Sequence, residues 1–470
     1  MVRRDGNTLV IAAIENSTQL RESKKDEGPP GPFQVRSYAD LLRFPAIPAT
    51  SKDTPSGQRD ISVPVVDAII MPTIRSADQI SCAVELASRA RCQLLTLHTD
   101  NLPSGLSSVL AGLKRGEATP LVLRSGLKSH QLLDFGAALP QSLVSFAARD
   151  ISRKRNLGLL IGRMRGWTRM LLLDDDIRRL SIEKLSAAAA LLDKYPVVGL
   201  QVNKYPDASV VGHARRLTGR RQEPFISGGS LLVDPQRING FFPALYHEDW
   251  LCVMNHLRLG EVAIGGKVGQ LPYKPFSSPE RARHEEFGDI LASGLLWLMH
   301  TRGKASTDPV SPALSDDDYW REATKLSFWK PVLEQRTALI ESIMTRFKAH
   351  NPHDLVPAQS LAVSQMRCGE LMPDEFVSFT KSWLSSLAVW REQLSSIPGV
   401  DSVEKGLAEL GILHIVQPHH GGPQLTPALS NRRRQAQSPT VGSTLMLGSL
   451  VGAASGALSR RLRPRARKSP

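Results

Sequence analysis

Apolar positions along the chain change period at residue 63. From Val65 to Met71 (VVDAIIM) they run together and are rich in β-branched residues, then stop at Pro72, which predicts a buried parallel strand. Over Asp78–Arg91 they return at helical spacing, with Ile80, Val84, Leu86 and Ala87 between polar positions, and Cys92–His98 (CQLLTLH) predicts a second buried strand. Strand, helix and strand in close succession make a βαβ unit, hence a parallel sheet with helices on its faces. The rhythm continues with a helix over Asp150–Met164, a strand over Arg169–Leu173, a helix over Ser181–Lys194 and a strand over Val197–Val202. Beyond Ser315 only helical periodicity remains, over Asp318–His350, Asp374–Ser395 and Val403–Gly411.

The pattern divides the chain into four parts. Residues 1–60 form a poorly structured arm, loosened by Glu27–Pro32 (EGPPGP), with one short helix over Tyr38–Phe44. Residues 61–314 form an α/β catalytic domain, 315–425 a helical extension, and 426–470 a basic low-complexity tail. No internal repeat is present.

Composition narrows the class. A hydrophobic content of 41% and a charged content of 22% exclude a wholly disordered chain or a collagen-like fibre. No apolar run reaches the length of a membrane span, and the N-terminus lacks the pattern of a secretory signal. Cys82, Cys92, Cys252 and Cys368 have neither CxxC pairing nor zinc-ligand spacing and read as reduced thiols, so a cytoplasmic location is expected. Nine of the charges behind the net +14 lie between Asn431 and Pro470, where no acid occurs. The basicity is therefore largely a property of the tail. Thr444–Leu458 is apolar but too short to span a bilayer, and its basic flanks suit peripheral contact with an anionic membrane or, equally, a solvated tail. Few aromatics lie between the tail's basic clusters, so no specific nucleic-acid partner is expected.

The candidate chemistry begins where Leu171–Leu173 run into Asp174-Asp175-Asp176. A buried strand that ends in carboxylates presents them at its carboxyl edge, where open α/β sheets bind ligands. Adjacent carboxylates repel one another unless a cation lies among them, and oxygen ligands suit Mg²⁺ or Mn²⁺. The same residues also suit a solvated turn that caps the next helix. Further motifs occur in order: Pro72–Arg75 (PTIR) after the first strand, Lys154–Gly158 (KRNLG), Ser227–Val233 (SGGSLLV) and His247–Trp250 (HEDW).

Together these motifs resemble the GT-A fold of nucleotide-sugar glycosyltransferases, closest to the inverting family 2 type, over roughly residues 63–300. The resemblance implies a GT-A-like, Rossmann-like, mostly parallel sheet with helices on both faces. It also implies a UDP- or GDP-sugar donor and a hydroxyl acceptor. Asp176 would hold Mn²⁺ or Mg²⁺, with Asp174 as a second ligand, or with Asp174 or Asp175 orienting ribose or a metal-bound water. His284 would be a further metal ligand. Arg155 would add a cation near the diphosphate, and Asn156 a donor to ribose or base. Thr73 and Arg75 lie on the loop that carries ligands, although Arg75 also suits a plain surface charge. Asp100 would accept from a pyrimidine N–H or serve as a turn residue; the second strand ends in His98–Asp100 (HTD), a departure from the family's Asp-Gly-Ser-like turn. Gly228 and Gly229 would let the backbone approach the donor sugar. Asp249 would be the base that takes the acceptor proton, with Glu248 as the alternative or an acceptor contact. Helix capping by either acid is the plainer account. Two rival classes are a non-catalytic scaffold of the same fold and a sugar nucleotidyltransferase. Pro72–Asp78 has no glycine, which disfavours the second.

Overall fold

The structure, a computed structural model, describes Phe33 and residues 38–46, 65–99, 101–114, 117–123, 149–203, 208–219, 225–302, 316–350 and 355–412. Asp100 and the basic tail lie outside the described residues.

Eight strands form one sheet: β1 (Ala68–Thr73), β2 (Gln93–His98), β3 (Ala118–Val122), β4 (Met170–Leu173), β5 (Ile177–Arg178), β6 (Val197–Asn203), β7 (Ser230–Val233) and β8 (Val262–Gln270), in the order β3-β2-β1-β4-β7-β6-β8-β5. The β3-β2-β1-β4 half is parallel, as the βαβ reading predicts. The other half is mixed: β7 runs antiparallel to both β4 and β6, β8 is parallel to β6, and β5 is antiparallel to β8. The expected parallel rhythm therefore stops at β4. Apolar runs report burial on both faces, and burial carries no information about strand direction. Strand β1 also runs through Pro72 to Thr73 rather than stopping before it. Its pairing with β4 ends at Ile70, so Pro72 lies where the strand has a partner on one side only, a place that tolerates a missing N–H.

Consecutive strand residues point to opposite faces, which splits the buried side chains into two cores. Ile69, Met71, Leu171, Leu173 and Leu232 pack with α1 (Ser81–Ala90), α2 (Leu106–Leu110) and, further along, α4 (Ile182–Ala189). Ile70, Leu95, Leu172, Leu231 and Val233 face the larger core, which includes α3 (Arg149–Met164), α5 (Val210–Leu217), α6 (Glu248–Arg258) and α7 (Pro279–Arg302). Helices thus cover both faces. Each fully buried leucine or isoleucine contributes roughly 1.5–3 kcal/mol.

Helices α8 (Asp316–Ala323), α9 (Leu326–His350), α10 (Leu355–Glu370), α11 (Pro373–Ser396) and α12 (Val403–Glu409) complete the chain, and α10 falls between the helices that the periodicity predicts. They share the larger core. Phe376 stacks on Trp329 at 4.8 Å and on Phe287 of α7 at 4.6 Å, and Trp390 lies 5.8 Å from Phe241. The N-terminal segment joins this core too. Phe33, Leu41 and Leu42 are buried, a 3₁₀ turn over Ala39–Leu41 replaces the expected helix, and Arg43 exchanges backbone hydrogen bonds with Val262 and Ile264 of β8. Cys92, Cys252 and Cys368 are buried and Cys82 is exposed. No helix among the described residues is long and apolar enough to cross a membrane.

Gly240 shows how tightly α6 is seated. A Cβ there would lie 1.9 Å from the carbonyl oxygen of Cys252, whereas at Gly112 the nearest atom is 3.7 Å away. Gly240→Ala is therefore expected to destabilise the protein by about 1–3 kcal/mol, the cost of overpacking. Gly112→Ala should leave the melting temperature nearly unchanged, and thermal denaturation of the two variants checks both.

Candidate functional site

Because β7 is antiparallel, its first residues lie beside the last residues of β4: Leu173 pairs with Ser230, and the N–H of Asp174 donates to the Gly229 carbonyl at 2.8 Å. This brings Asp174–Asp176 against Ser227–Ser230, which the sequence places more than fifty residues later. The three carboxylates then diverge. Asp174 accepts two hydrogen bonds from Nη2 of Arg155, at 2.9 and 3.0 Å. Asp175 accepts from the Thr73 hydroxyl at 2.7 Å and from Nε of Arg75 at 2.8 Å. The Asp176 carboxylate accepts a neutral amide bond from Gln270 at 3.1 Å, with Nη2 of Arg75 at 3.9 Å. Burial raises the Asp176 carboxyl above its ordinary range, and Asp174 and Asp175 add to the rise against the opposing Gln270 and Arg75.

Arg155 is the centre of the arrangement. It projects from α3, is 4% exposed, and its Nη1 donates to Glu248 while Nη2 donates to Asp174. Its guanidinium lies 5.7 Å from the Phe242 ring centroid. Burial alone would lower its pKa, yet Asp174, Glu248 and Asp249 hold it above the usual arginine range, so it stays charged. The two glycines exist for this packing. A Cβ at Gly228 would lie 2.6 Å from Nη1 of Arg155, and one at Gly229 would lie 2.7 Å from Oδ2 of Asp174. The Cβ direction at each of the two glycines is thus occupied by a protein side chain.

Helix α6 begins at Glu248, and the residue before it, His247, has a left-handed φ of 64°. Glu248 is 9% exposed, and burial pushes its carboxyl up to about 7 although Arg155 opposes the shift. Asp249 reinforces the rise, because several carboxylates share one guanidinium. Asp249 is less buried. One of its oxygens accepts from the Gly228 N–H at 2.6 Å and the other from the Trp250 N–H at 2.9 Å. Its backbone bonds fix the carboxylate and leave lone pairs on both oxygens.

Lys154 completes the floor. Its ammonium is 1% exposed and donates to the Thr73 carbonyl at 3.1 Å, the Thr99 hydroxyl at 2.7 Å and Asp150 at 2.7 Å, which uses all three of its protons. The ends of β1 and β2 are thereby tied to α3. Above them opens a cleft of about 540 Å³ lined by Ile74, Arg75, Ser76, His98, Thr99, Asn101, Leu102, Pro103 and Asp150. His98 bonds Thr96 at 3.0 Å, and burial with the nearby Lys154 charge lowers its imidazole to about 4, so it is neutral near pH 7.

The structure thus brings together Thr73, Arg75, Arg155, Asp174, Asp175, Asp176, Gly228, Gly229, Glu248 and Asp249. Asn156 is a correction to the sequence reading. It is 1% exposed, and its amide donates to the Phe242 carbonyl at 2.9 Å while accepting from the Phe242 N–H at 2.8 Å, so it holds a loop rather than a ribose. His284 is exposed on α7. Among the described residues no group of three or more His, Cys, Asp or Glu side chains is placed to hold a metal ion. Gln270 and Thr99 escape a reading by motif, because each acts through a partner distant in sequence. Comparison of the sequence with protein-family models and with curated proteins finds no match.

The Glu248 environment has a pH signature. Its proton is held more tightly in the folded chain than at the ordinary value of 4.5, so its contribution to stability is present below that pH and is lost as pH rises toward 7. The stability difference between wild type and Glu248→Gln should therefore move in favour of the variant across this window. Urea denaturation of both proteins at several pH values checks the slope.

Proposed function

We propose that the chain is a metal-dependent glycosyltransferase of GT-A-like fold, which transfers a sugar from a nucleoside diphosphate sugar to a hydroxyl with inversion. The observation that carries this reading is the carboxylate series at the carboxyl edge of β4. It lies between the cleft at the ends of β1 and β2 on one side and Asp249 on the other. The mixed sheet with helices on both faces supports the fold assignment.

The charge balance supports a bound cation. Asp150, Asp174, Asp175, Asp176, Glu248 and Asp249 surround Arg75, Lys154 and Arg155, so acids outnumber bases at this edge. The protein alone does not provide a three-ligand centre, but Mg²⁺ is commonly bound by one or two carboxylates together with substrate phosphates. Asp176 fits that task, since among the described residues its carboxylate accepts a hydrogen bond only from a neutral amide. Asp174 is committed to Arg155 and would contribute after a shift of that pair. When bound, Mn²⁺ or Mg²⁺ supplies Lewis-acid neutralisation of the diphosphate leaving group.

The chain's own residues do the rest. The nucleoside occupies the cleft, with Arg75, which lines it and is 44% exposed, turning from Asp175 toward the diphosphate. Arg155 is neutralised by its carboxylates and acts by holding Asp174 and Glu248 in place rather than by touching phosphate. Asp249 takes the acceptor proton as the hydroxyl attacks the anomeric carbon from the face opposite the leaving group, and this single displacement inverts the centre. Glu248 is tied to Arg155 and is the weaker choice for base.

Tryptophan-fluorescence titration with UDP, with and without Mn²⁺, tests the donor site. Asp176→Ala should lose the Mn²⁺-dependent affinity while remaining folded, and an unchanged affinity would remove Asp176 from the site. With a donor that wild type turns over, Asp249→Asn should lower turnover by roughly 10²–10⁴-fold, the range of general-base catalysis, with donor affinity unchanged. Near-normal turnover would leave Asp249 as a structural acceptor for the Gly228 and Trp250 N–H groups, a task that the asparagine amide oxygen shares in part.

A further inference from the structure

Beneath the turn that delivers Glu248 and Asp249 lies a second buried charge cluster, to which the proposed chemistry assigns no task. Arg336 of α9 is 2% exposed and donates to Glu286 through Nε at 2.6 Å and Nη2 at 3.1 Å. The same Nη2 donates to Asp289 Oδ2 at 2.7 Å. The other Asp289 oxygen bonds Nε2 of His247 at 3.1 Å. His247 in turn stacks on the Trp250 ring, with centroids 4.0 Å apart and planes at 23°. Its carbonyl accepts the Leu251 N–H and so starts α6.

His247 needs such support. A left-handed φ is costly for a residue with a Cβ, and it persists where surrounding contacts impose it. Asp289 and Trp250 grip the imidazole from two directions, and α7 grips the backbone: a Cβ at Gly288 would lie 2.2 Å from the Tyr246 carbonyl oxygen. The conformation of His247 sets the direction in which α6 leaves the turn. It therefore sets how Glu248 meets Arg155 and how Asp249 meets Gly228. Asp289 is itself held, by Arg336 from the helical extension and by the Ser209 hydroxyl.

We infer that Arg336 is a positioning residue for the Asp249 carboxylate, acting through Asp289 and His247, so that the helical extension is part of the reactive site. The inference rests on the transferase reading for what Asp249 does, and on the geometry alone for what Arg336 does. The two are separable by experiment. Full-length protein carrying 5-fluorotryptophan gives a fluorine resonance for each of its seven tryptophans, and Trp250→Phe identifies that of Trp250. Arg336→Gln should shift the Trp250 resonance and leave that of Trp167 in place, and Arg336→Lys should bring it back toward the wild-type position. In nucleotide release from UDP- and GDP-sugars, Arg336→Gln should lower kcat by about 10²-fold, the cost of an ångström-scale misplacement, with the donor KM unchanged. A folded Arg336→Gln protein whose Trp250 resonance does not move overturns the inference, because a purely structural arginine would disturb only the tryptophans of the extension. If Arg336→Gln does not fold, Asp289→Asn is read in the same way. Absence of release by wild type would count against the transferase reading, and the fluorine spectra would still decide the role of Arg336.

Discussion

One buried guanidinium organises the site. Arg155 reaches from α3 to the end of β4 and to the start of α6, and it neutralises one carboxylate on each. Without it, Glu248 would be a buried acid with no cation beside it, and breaking a buried pair in this way costs about 3–5 kcal/mol. The surrounding sequence follows from that clamp. Gly228 and Gly229 leave room for it, Phe242 covers its face, and Asn156 pins the Phe242 backbone beneath it. A lysine would provide neither the planar fork nor the reach to two acids at once.

A second layer of buried charge extends this logic outward. Lys154 ties β1 and β2 to the same helix that carries Arg155, while Arg336 and Asp289 brace the turn before Glu248. Helices thus deliver Lys154, Arg155, Glu248 and Asp249 to the sheet edge, as a site that holds side chains in fixed geometry requires. Arg75 and Asp176 are the less constrained members, one half-exposed and the other held by the Gln270 amide and a long contact with Arg75. Adjustment to a ligand is therefore expected at these two residues rather than in the clamp.

Much of this was legible in the sequence where burial and chemistry change abruptly. Leu171–Leu173 running into three aspartates marks both a strand and the polar edge that follows it, and the apolar run over Val65–Met71 marks most of β1. Strand direction was not legible, because Ser230–Val233 has the same apolar character whichever way it runs. The roles of individual residues were harder still. Asn156 and the two glycines are motif residues whose tasks depend on Phe242, Arg155 and Asp174, partners fixed only by the fold. The Arg336–Asp289–His247 chain is invisible for the same reason: arginine at a helical position reads as a solvated charge until α7 packs over it.

The most direct test of the account is a panel of UDP- and GDP-sugars incubated with the full-length protein and Mn²⁺, with free nucleotide as the readout. The account predicts release from at least one donor and loss of that release when the cation is chelated. No release from any donor, together with no binding of UDP or GDP in the presence of Mn²⁺, would contradict it.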